Sequence, residues 1–111
     1  MSDVILVMTH LPDQESAHRL ADALIENHAA ACVNILAAGS SVYRWQGKKE
    51  SAIEIPLMIK TTQDAYARVE ALIRTVHPYE LPEVIAVPVT GGLPAYLQWV
   101  REATSNPVTE K

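Results

Sequence analysis

The sequence predicts a single α+β domain over residues 1–111, with two long helices packed on one face of a four-stranded antiparallel sheet. Short apolar runs rich in β-branched residues alternate with longer stretches whose apolar residues recur at helical spacing. The order along the chain is β-α-β-β-α-β-α. A right-handed split βαβ arrangement of these elements is the ferredoxin-like fold, here with an extra C-terminal helix.

The composition is that of an ordinary globular protein, with 49% hydrophobic and 20% charged residues. A net charge of -4 argues against nucleic-acid binding, which requires a basic face. Cys32 is the only cysteine, so no intrachain disulfide can form, and a reducing compartment is indicated. The start lacks the basic segment of a signal peptide, and no apolar run approaches the roughly 20 residues of a membrane span. We therefore expect a cytoplasmic protein without a membrane partner.

The first half of the chain predicts a central strand, a helix and one arm of a hairpin. Residues 4–8 form a continuous apolar run, typical of a strand buried on both faces. Asp13 suits the N-cap of the following helix. The hairpin arm combines an apolar run at 30–35 with strand-like residues at 42–45, loosened between them by Gly39 and two serines.

The hairpin itself should be long. Residues 46–49 form the predicted turn, with Gly47 at a positive φ. Residues 51–60 alternate as the second arm. Both arms exceed the usual five or six residues of a strand, so the tip should project beyond the domain. Pro56 cannot donate to a strand ladder and indicates an edge or a bulge.

The second half predicts a helix, a strand and a last helix. Thr61 or Thr62 should cap the helix that carries an apolar stripe to residue 76. The strand occupies 83–89, and the last helix opens at Pro94. The tail beyond Thr104 is polar and expected to fray.

One face of the predicted sheet has no helices to cover it, although its first and fourth strands are apolar on both sides. The last helix is too short to cover that face alone. Subunit association is the economical solution, so we expect a closed cyclic homo-oligomer. The projecting hairpin carries Tyr43 and Trp45 and is suited to reach a neighbouring subunit.

Residues 77–83, called the connector below, contain an imidazole, a phenol and two carboxylates within seven residues that two prolines stiffen. Proline fixes its own φ and disfavours helix at the preceding residue, so His77 and Leu81 should be extended. Imidazole and carboxylate suit divalent first-row metals, which makes His77 and Glu83 candidate ligands. Alternatively, His77 caps the helix end and Glu83 hydrogen-bonds within the connector. His10 and His18 look like loop and helix-surface residues.

Five short motifs occur in order along nearly the whole chain. They are Ala31-Cys32-Val33-Asn34; Ser41-Val42-Tyr43-Arg44-Trp45-Gln46-Gly47; Glu54, Leu57 and Lys60-Thr61; His77-Pro78-Tyr79 with Pro82-Glu83; and Tyr96-Leu97-Gln98-Trp99. Together they resemble the CutA family, named for divalent-cation tolerance. The resemblance implies a homotrimer similar in architecture to the PII signalling proteins, with a non-enzymatic role in tolerance or homeostasis of divalent metals, notably copper.

The resemblance also bears on the metal ligands. In family members linked to copper, the implicated positions match Met8, Val76, His77 and Glu83 of this chain. A thioether replaces a cysteine at Met8 and valine replaces one histidine, which leaves His77 and Glu83 as the strong ligands. A closed site needs four ligands. We therefore expect weak binding of copper rather than zinc, completed by a neighbouring subunit or water.

Lys60 supports a different function. As a lone charge at the end of an apolar strand, it should pair with Glu54 or Glu83. Alternatively, it faces a small anionic ligand in a cleft with Tyr79 and Trp45, as in a PII-like signalling module. A trimeric scaffold that docks another protein is a third possibility. Aromatic residues of this kind are more often interface anchors than pocket walls.

Enzymatic chemistry has little support in the sequence. It contains no nucleophile-base-orienter set and no Gly-rich phosphate loop, so no organic cofactor is expected. Cys32 lies in an apolar run, which favours packing over reactivity.

Overall fold

The computed structural model describes residues 3–105, which form five strands and three helices. Their bounds are β1 (Val4–Leu11), α1 (Gln14–Glu26), β2 (Cys32–Ile35), β3 (Gly39–Trp45), β4 (Lys48–Thr62), α2 (Tyr66–Val76), β5 (Ile85–Pro88) and α3 (Pro94–Ala103). The α+β class is as predicted. The polar tail from residue 106 onward lies outside the described residues.

The strands form one antiparallel sheet in the order β2-β4-β1-β5, with β3 also paired to β4. This is the ferredoxin-like strand order, but the sheet has five strands rather than the predicted four. The difference arises because the first hairpin arm is broken into β2 and β3, which both pair with the 15-residue β4.

The break coincides with Pro56. β2 ends at the pair Ile35–Leu57, and β3 begins at the pair Gly39–Glu54. Three residues of the first arm therefore oppose two of β4, which is the geometry of a β-bulge. Pro56 stands within these two and has no N–H to continue the ladder on that side. Of the two predicted alternatives at Pro56, an edge or a bulge, the structure shows the bulge.

The hairpin turn is tighter than predicted. It contains two residues, Gln46 at φ 50° and Gly47 at φ 81°, and Trp45 pairs with Lys48 across it. Two positive φ values match a type I′ turn, whose twist suits a hairpin. The predicted positive φ of Gly47 is confirmed, whereas residues 48–49 belong to β4. The domain is 49 Å long and 28 Å wide, consistent with a projecting hairpin.

Helix α1 begins as the sequence predicts. The backbone N–H of Ser16 donates to the Asp13 carboxylate at 2.7 Å. This hydrogen bond, with a second from the Ser16 side chain, lowers the pKa of Asp13. Asp13 therefore satisfies a helix donor that would otherwise lack a partner.

The predicted cap of α2 is wrong. The N-cap is Ala65, without a capping side chain, because β4 continues through Thr62 in register with β1. Thr61 is buried and donates instead to the carbonyl of Ala29 at 2.6 Å. Strand pairing thus takes both threonines away from the helix start.

The core lies between the sheet and the layer formed by α1 and α2. Its members are aliphatic side chains from alternate strand positions and from the inner helix faces. They include Ile5, Val7, Leu11, Leu20, Leu24, Ile55, Leu57, Ile59, Val69 and Ile73.

The second face of the sheet is covered at one end only. There α3 shields Thr62, and the Thr104 hydroxyl lies 3.4 Å from the hydroxyl of Thr62. Beyond α3, the part of this face formed by β5 is apolar and partly open: Ile85 is 47% and Val87 40% exposed. The prediction that α3 cannot cover the face alone is confirmed.

Candidate functional site

A groove of about 720 Å³ lies between the hairpin and the connector. Its lining comprises His10, Ser41, Val42, Tyr43, Trp45, Glu54, Tyr79, Glu80, Leu81 and Glu83. The volume is within the range of small-molecule sites. Of the predicted ligand cleft, Trp45 and Tyr79 line this groove and Lys60 does not.

His77 is the C-cap of α2 and is extended, at φ -70° and ψ 131°, as Pro78 predicts. Only 7% of it is exposed. Its Nδ1 accepts from the backbone N–H of Tyr79 at 3.1 Å, so the ring proton lies on Nε2, which donates to the carbonyl of His10. Both nitrogens are thus engaged. A metal could reach His77 only by displacing one of these bonds, and its joint role with Glu83 stays a prediction.

The structure brings Glu83 to His10 instead. Glu83 Oε1 lies 3.0 Å from His10 Nδ1, and the two side chains are 44% and 27% exposed. The Nδ1 atom itself is buried and forms no hydrogen bond with the described residues, so the contact with Glu83 is a short-range electrostatic one. His10 was not a predicted ligand, because its position after the apolar run is typical of a loop. β1 continues three residues past its apolar run, and His10 shares a face with Met8. That alternation was the available signal.

Glu54 is buried beneath the same groove, with 8% exposure. The Tyr79 hydroxyl donates to its carboxylate. Burial, this hydrogen bond and the charge of Glu54 raise the pKa of Tyr79, with a smaller contribution from Tyr43. Tyr79 therefore remains a neutral donor well into the alkaline range.

Lys60 is not paired with Glu54 or Glu83, so that predicted ion pair is wrong. Its amine contacts the side-chain oxygen of Asn34 on β2. Lys60 stands six residues from Glu54 on β4, or about 20 Å in an extended strand. Lys60 and Glu54 are close in sequence, but the extended strand keeps their side chains too far apart for an ion pair.

The remaining candidates lie elsewhere. Cys32 is half-buried and contacts Tyr96, whose pKa is raised by burial and then by this neighbour. Met8 lies on the second sheet face, and Val76 packs against the core. Between residues 3 and 105, no three His, Cys, Asp or Glu side chains are grouped to hold a metal ion. No helix in that range is long and apolar enough to cross a membrane.

Comparison with known proteins agrees with this fold. Residues 5–103 match the family model described as "CutA1 divalent ion tolerance protein". The divalent-cation tolerance protein CutA of Thermus thermophilus is 40% identical over 104 residues, covering 94% of this chain and 99% of that protein. Human protein CutA is 43% identical over 95 residues, but the chain spans only 53% of its length.

Solved structures are equally similar. CutA from Xylella fastidiosa superimposes with a TM-score of 0.90 at 42% identity, covering 94% of this chain and all of that one. A CutA from Archaeoglobus fulgidus, described as a periplasmic divalent cation tolerance protein, gives 0.88 at 33% identity, covering 92% and 99% of the two chains. The sequence match over residues 5–103 and the shared fold show that the chain belongs to the CutA family of divalent-cation tolerance proteins.

Proposed function

We propose that this protein acts in divalent-cation tolerance as a non-enzymatic homotrimer that binds a divalent metal weakly at the groove. The observation that supports this best is the 3.0 Å contact between Glu83 Oε1 and His10 Nδ1 in the groove lining. Carboxylate oxygen and imidazole nitrogen are ligands for first-row divalent metals. Copper is the preferred metal, since such sites bind Cu²⁺ more tightly than Zn²⁺.

The metal site is shared between Glu83, His10 and further ligands from water or a neighbouring subunit. Two protein ligands leave a coordination sphere open, which accounts for weak and reversible binding. His77 holds the backbone of His10 in place, because its Nε2 donates to the carbonyl of His10. In this proposal His77 orients a ligand rather than serving as one.

The cytoplasm is the proposed compartment. A lone cysteine forms no intrachain disulfide, as expected in a reducing environment. The family does not decide the compartment, since the Archaeoglobus fulgidus relative is described as periplasmic.

Calorimetric titration of Cu²⁺ and Zn²⁺ tests the proposal. The wild-type protein should bind Cu²⁺ more tightly than Zn²⁺. Glu83→Gln and His10→Ala should each weaken Cu²⁺ binding roughly tenfold or more, since each removes a ligand. His77→Ala should weaken it less than either.

The matched control is His18→Ala, which removes an exposed imidazole from α1 without touching the groove. It should bind Cu²⁺ like the wild type. Unchanged binding in both Glu83→Gln and His10→Ala would rule out this pair, and a His77→Ala loss as large as theirs would restore His77 as a ligand.

A further inference from the structure

The groove has a lining that suits an organic cation. Three of the lining side chains are carboxylates and three are aromatic rings. They are Glu54, Glu80 and Glu83, and Tyr43, Trp45 and Tyr79. The lining residues include no lysine or arginine, so the groove is electrostatically opposite to what the anionic ligand of a PII-like module would need.

Glu54 distinguishes the groove from an exposed acidic surface, because this residue is buried. As a whole residue it is more than nine-tenths buried, and it lines the groove. The Tyr79 hydroxyl donates to it, but a phenol is neutral and leaves the charge unbalanced. Buried charges in proteins are normally paired. A cation in the groove would complete the pairing that the protein itself leaves open.

The aromatic residues determine which kind of cation fits. The faces of tyrosine and tryptophan attract ammonium groups, and they also cover apolar carbon chains. Tyr43 and Trp45 are 42% and 38% exposed in the single chain, and both line the groove. A bare metal ion would use the carboxylates but not the rings, whereas an alkylammonium ion would use both.

We propose that the groove binds a small aliphatic primary amine in its ammonium form, with the ammonium at Glu54 and the carbon chain along the rings of Tyr79 and Tyr43, toward Trp45. A primary ammonium carries three N–H donors, which suit carboxylate oxygens better than a quaternary ammonium does. This ligand is additional to the metal of the proposed function and does not depend on it, because Glu54 is not one of the proposed metal ligands.

Trp45 fluorescence provides the test. In a Trp99→Phe background Trp45 is the only tryptophan, since the chain has two. The probe is butane-1,4-diamine at neutral pH with a chelator present, so that metal is excluded. Butane-1,4-diol and succinate have the same carbon skeleton, without charge and with negative charge respectively. We expect a saturable change in Trp45 emission with the diamine only.

Glu54→Gln should weaken diamine binding roughly tenfold or more, because the amide keeps an acceptor for Tyr79 but removes the charge. Glu26→Gln is the control: it makes the same charge change at an exposed position at the far end of α1 from the groove, and should bind like the parent. Tyr43→Leu removes one ring without burying a polar group, and should weaken binding about two- to fivefold. If circular dichroism shows that Glu54→Gln does not fold, Tyr43→Leu takes its place as the test variant.

A lack of saturable response to the diamine would overturn the proposal, as would an equal response to the diol. Diamine binding of parental strength in the folded variants would overturn it too. Repeating the Cu²⁺ titration without chelator in the same background separates the two hypotheses. If the Trp99→Phe parent binds Cu²⁺ but not the diamine, only the amine site is refuted; if it binds the diamine but not Cu²⁺, only the metal site is refuted.

Discussion

His77 holds three parts of the chain together through one imidazole ring. It ends α2, accepts from the backbone of Tyr79 in the connector, and donates to the carbonyl of His10 at the end of β1. The ring of Tyr79 lies against it, with centroids 4.7 Å apart. The position of two groove residues therefore depends on this side chain.

Substitution of His77 should reduce stability by an amount that depends on which bond is kept. His77→Ala leaves two backbone groups without their partner and should lower the free energy of unfolding by about 2 kcal/mol or more. His77→Gln places an amide donor near the Nε2 position, so it should retain part of this stability. Urea denaturation of the three proteins measures the differences.

The same series checks the hydrogen-bond assignment. His77→Asn offers an acceptor near the Nδ1 position, which serves the backbone of Tyr79 rather than that of His10. If Ala, Gln and Asn variants were all as stable as the wild type, the ring would not be acting through these two bonds.

The sequence predicts the backbone of His77 but not its partners. The extended conformation follows from Pro78 alone. The bond to the carbonyl of His10 joins residues 67 positions apart, and only the packed fold brings them together. Glu83 and His10 likewise meet only through tertiary structure. For this reason the proposed metal pair is Glu83 with His10, whereas the sequence predicted Glu83 with His77.

The long hairpin is the element that shapes the groove. Its tight turn fixes the register of β3 on β4, and the bulge at Pro56 separates this pairing from that of β2. A two-residue turn allows one register, so Tyr43 and Trp45 are set against Glu50 and Lys48.

Gly47→Val should loosen the tip without unfolding the domain. A β-branched residue at φ 81° is strained, at a cost of about 1–2 kcal/mol, but the tip residues are exposed and outside the core. We expect faster amide hydrogen exchange at residues 43–50 and unchanged exchange in β1. Gln46→Asn is the opposite control, since asparagine before glycine favours the type I′ turn and should slow exchange at the tip.

If exchange in Gly47→Val rose equally in β1, the hairpin would not be an independent unit. If it did not rise at the tip, the positive φ would not constrain the turn.

Local signals predicted elements well where local chemistry decides them. The Asp13 cap, the extended residue before Pro78 and the positive φ of Gly47 all depend on nearby residues. The Thr61 or Thr62 cap failed because pairing with β1 extends β4 through both residues, and no local pattern reveals where a ladder ends. The split of the first hairpin arm had two sequence signals, Pro56 on the opposite strand and the loosening at Gly39, but neither fixes where β2 ends and β3 begins.

At the scale of the whole molecule, the open part of the second sheet face leaves large apolar side chains exposed to water in the single chain. Leu6 and Met8 of β1 lie opposite Val87 and Ile85 of β5 on this face. Side chains of this size and polarity are normally removed from water. The homotrimer that we propose would bury them at a symmetric interface.

Val87→Glu tests that arrangement. Val87 is 40% exposed in the single chain, so a carboxylate there remains solvated in a monomer and should not prevent folding. In a closed interface the same carboxylate would be buried without a partner, at a cost of several kcal/mol per subunit. Sedimentation should therefore find three associated chains for the wild type and single chains for Val87→Glu at the same concentration.

Ile25→Glu provides the matched control. Ile25 is 44% exposed, close to Val87 in accessibility, but it lies on α1 in the helix layer. This variant should sediment like the wild type, which separates a specific effect on the sheet face from a general effect of added charge. Far-UV circular dichroism should show that Val87→Glu is folded when it dissociates. A monomeric wild type would refute the trimer, and a Val87→Glu protein that still sediments as three chains would place the interface on another surface.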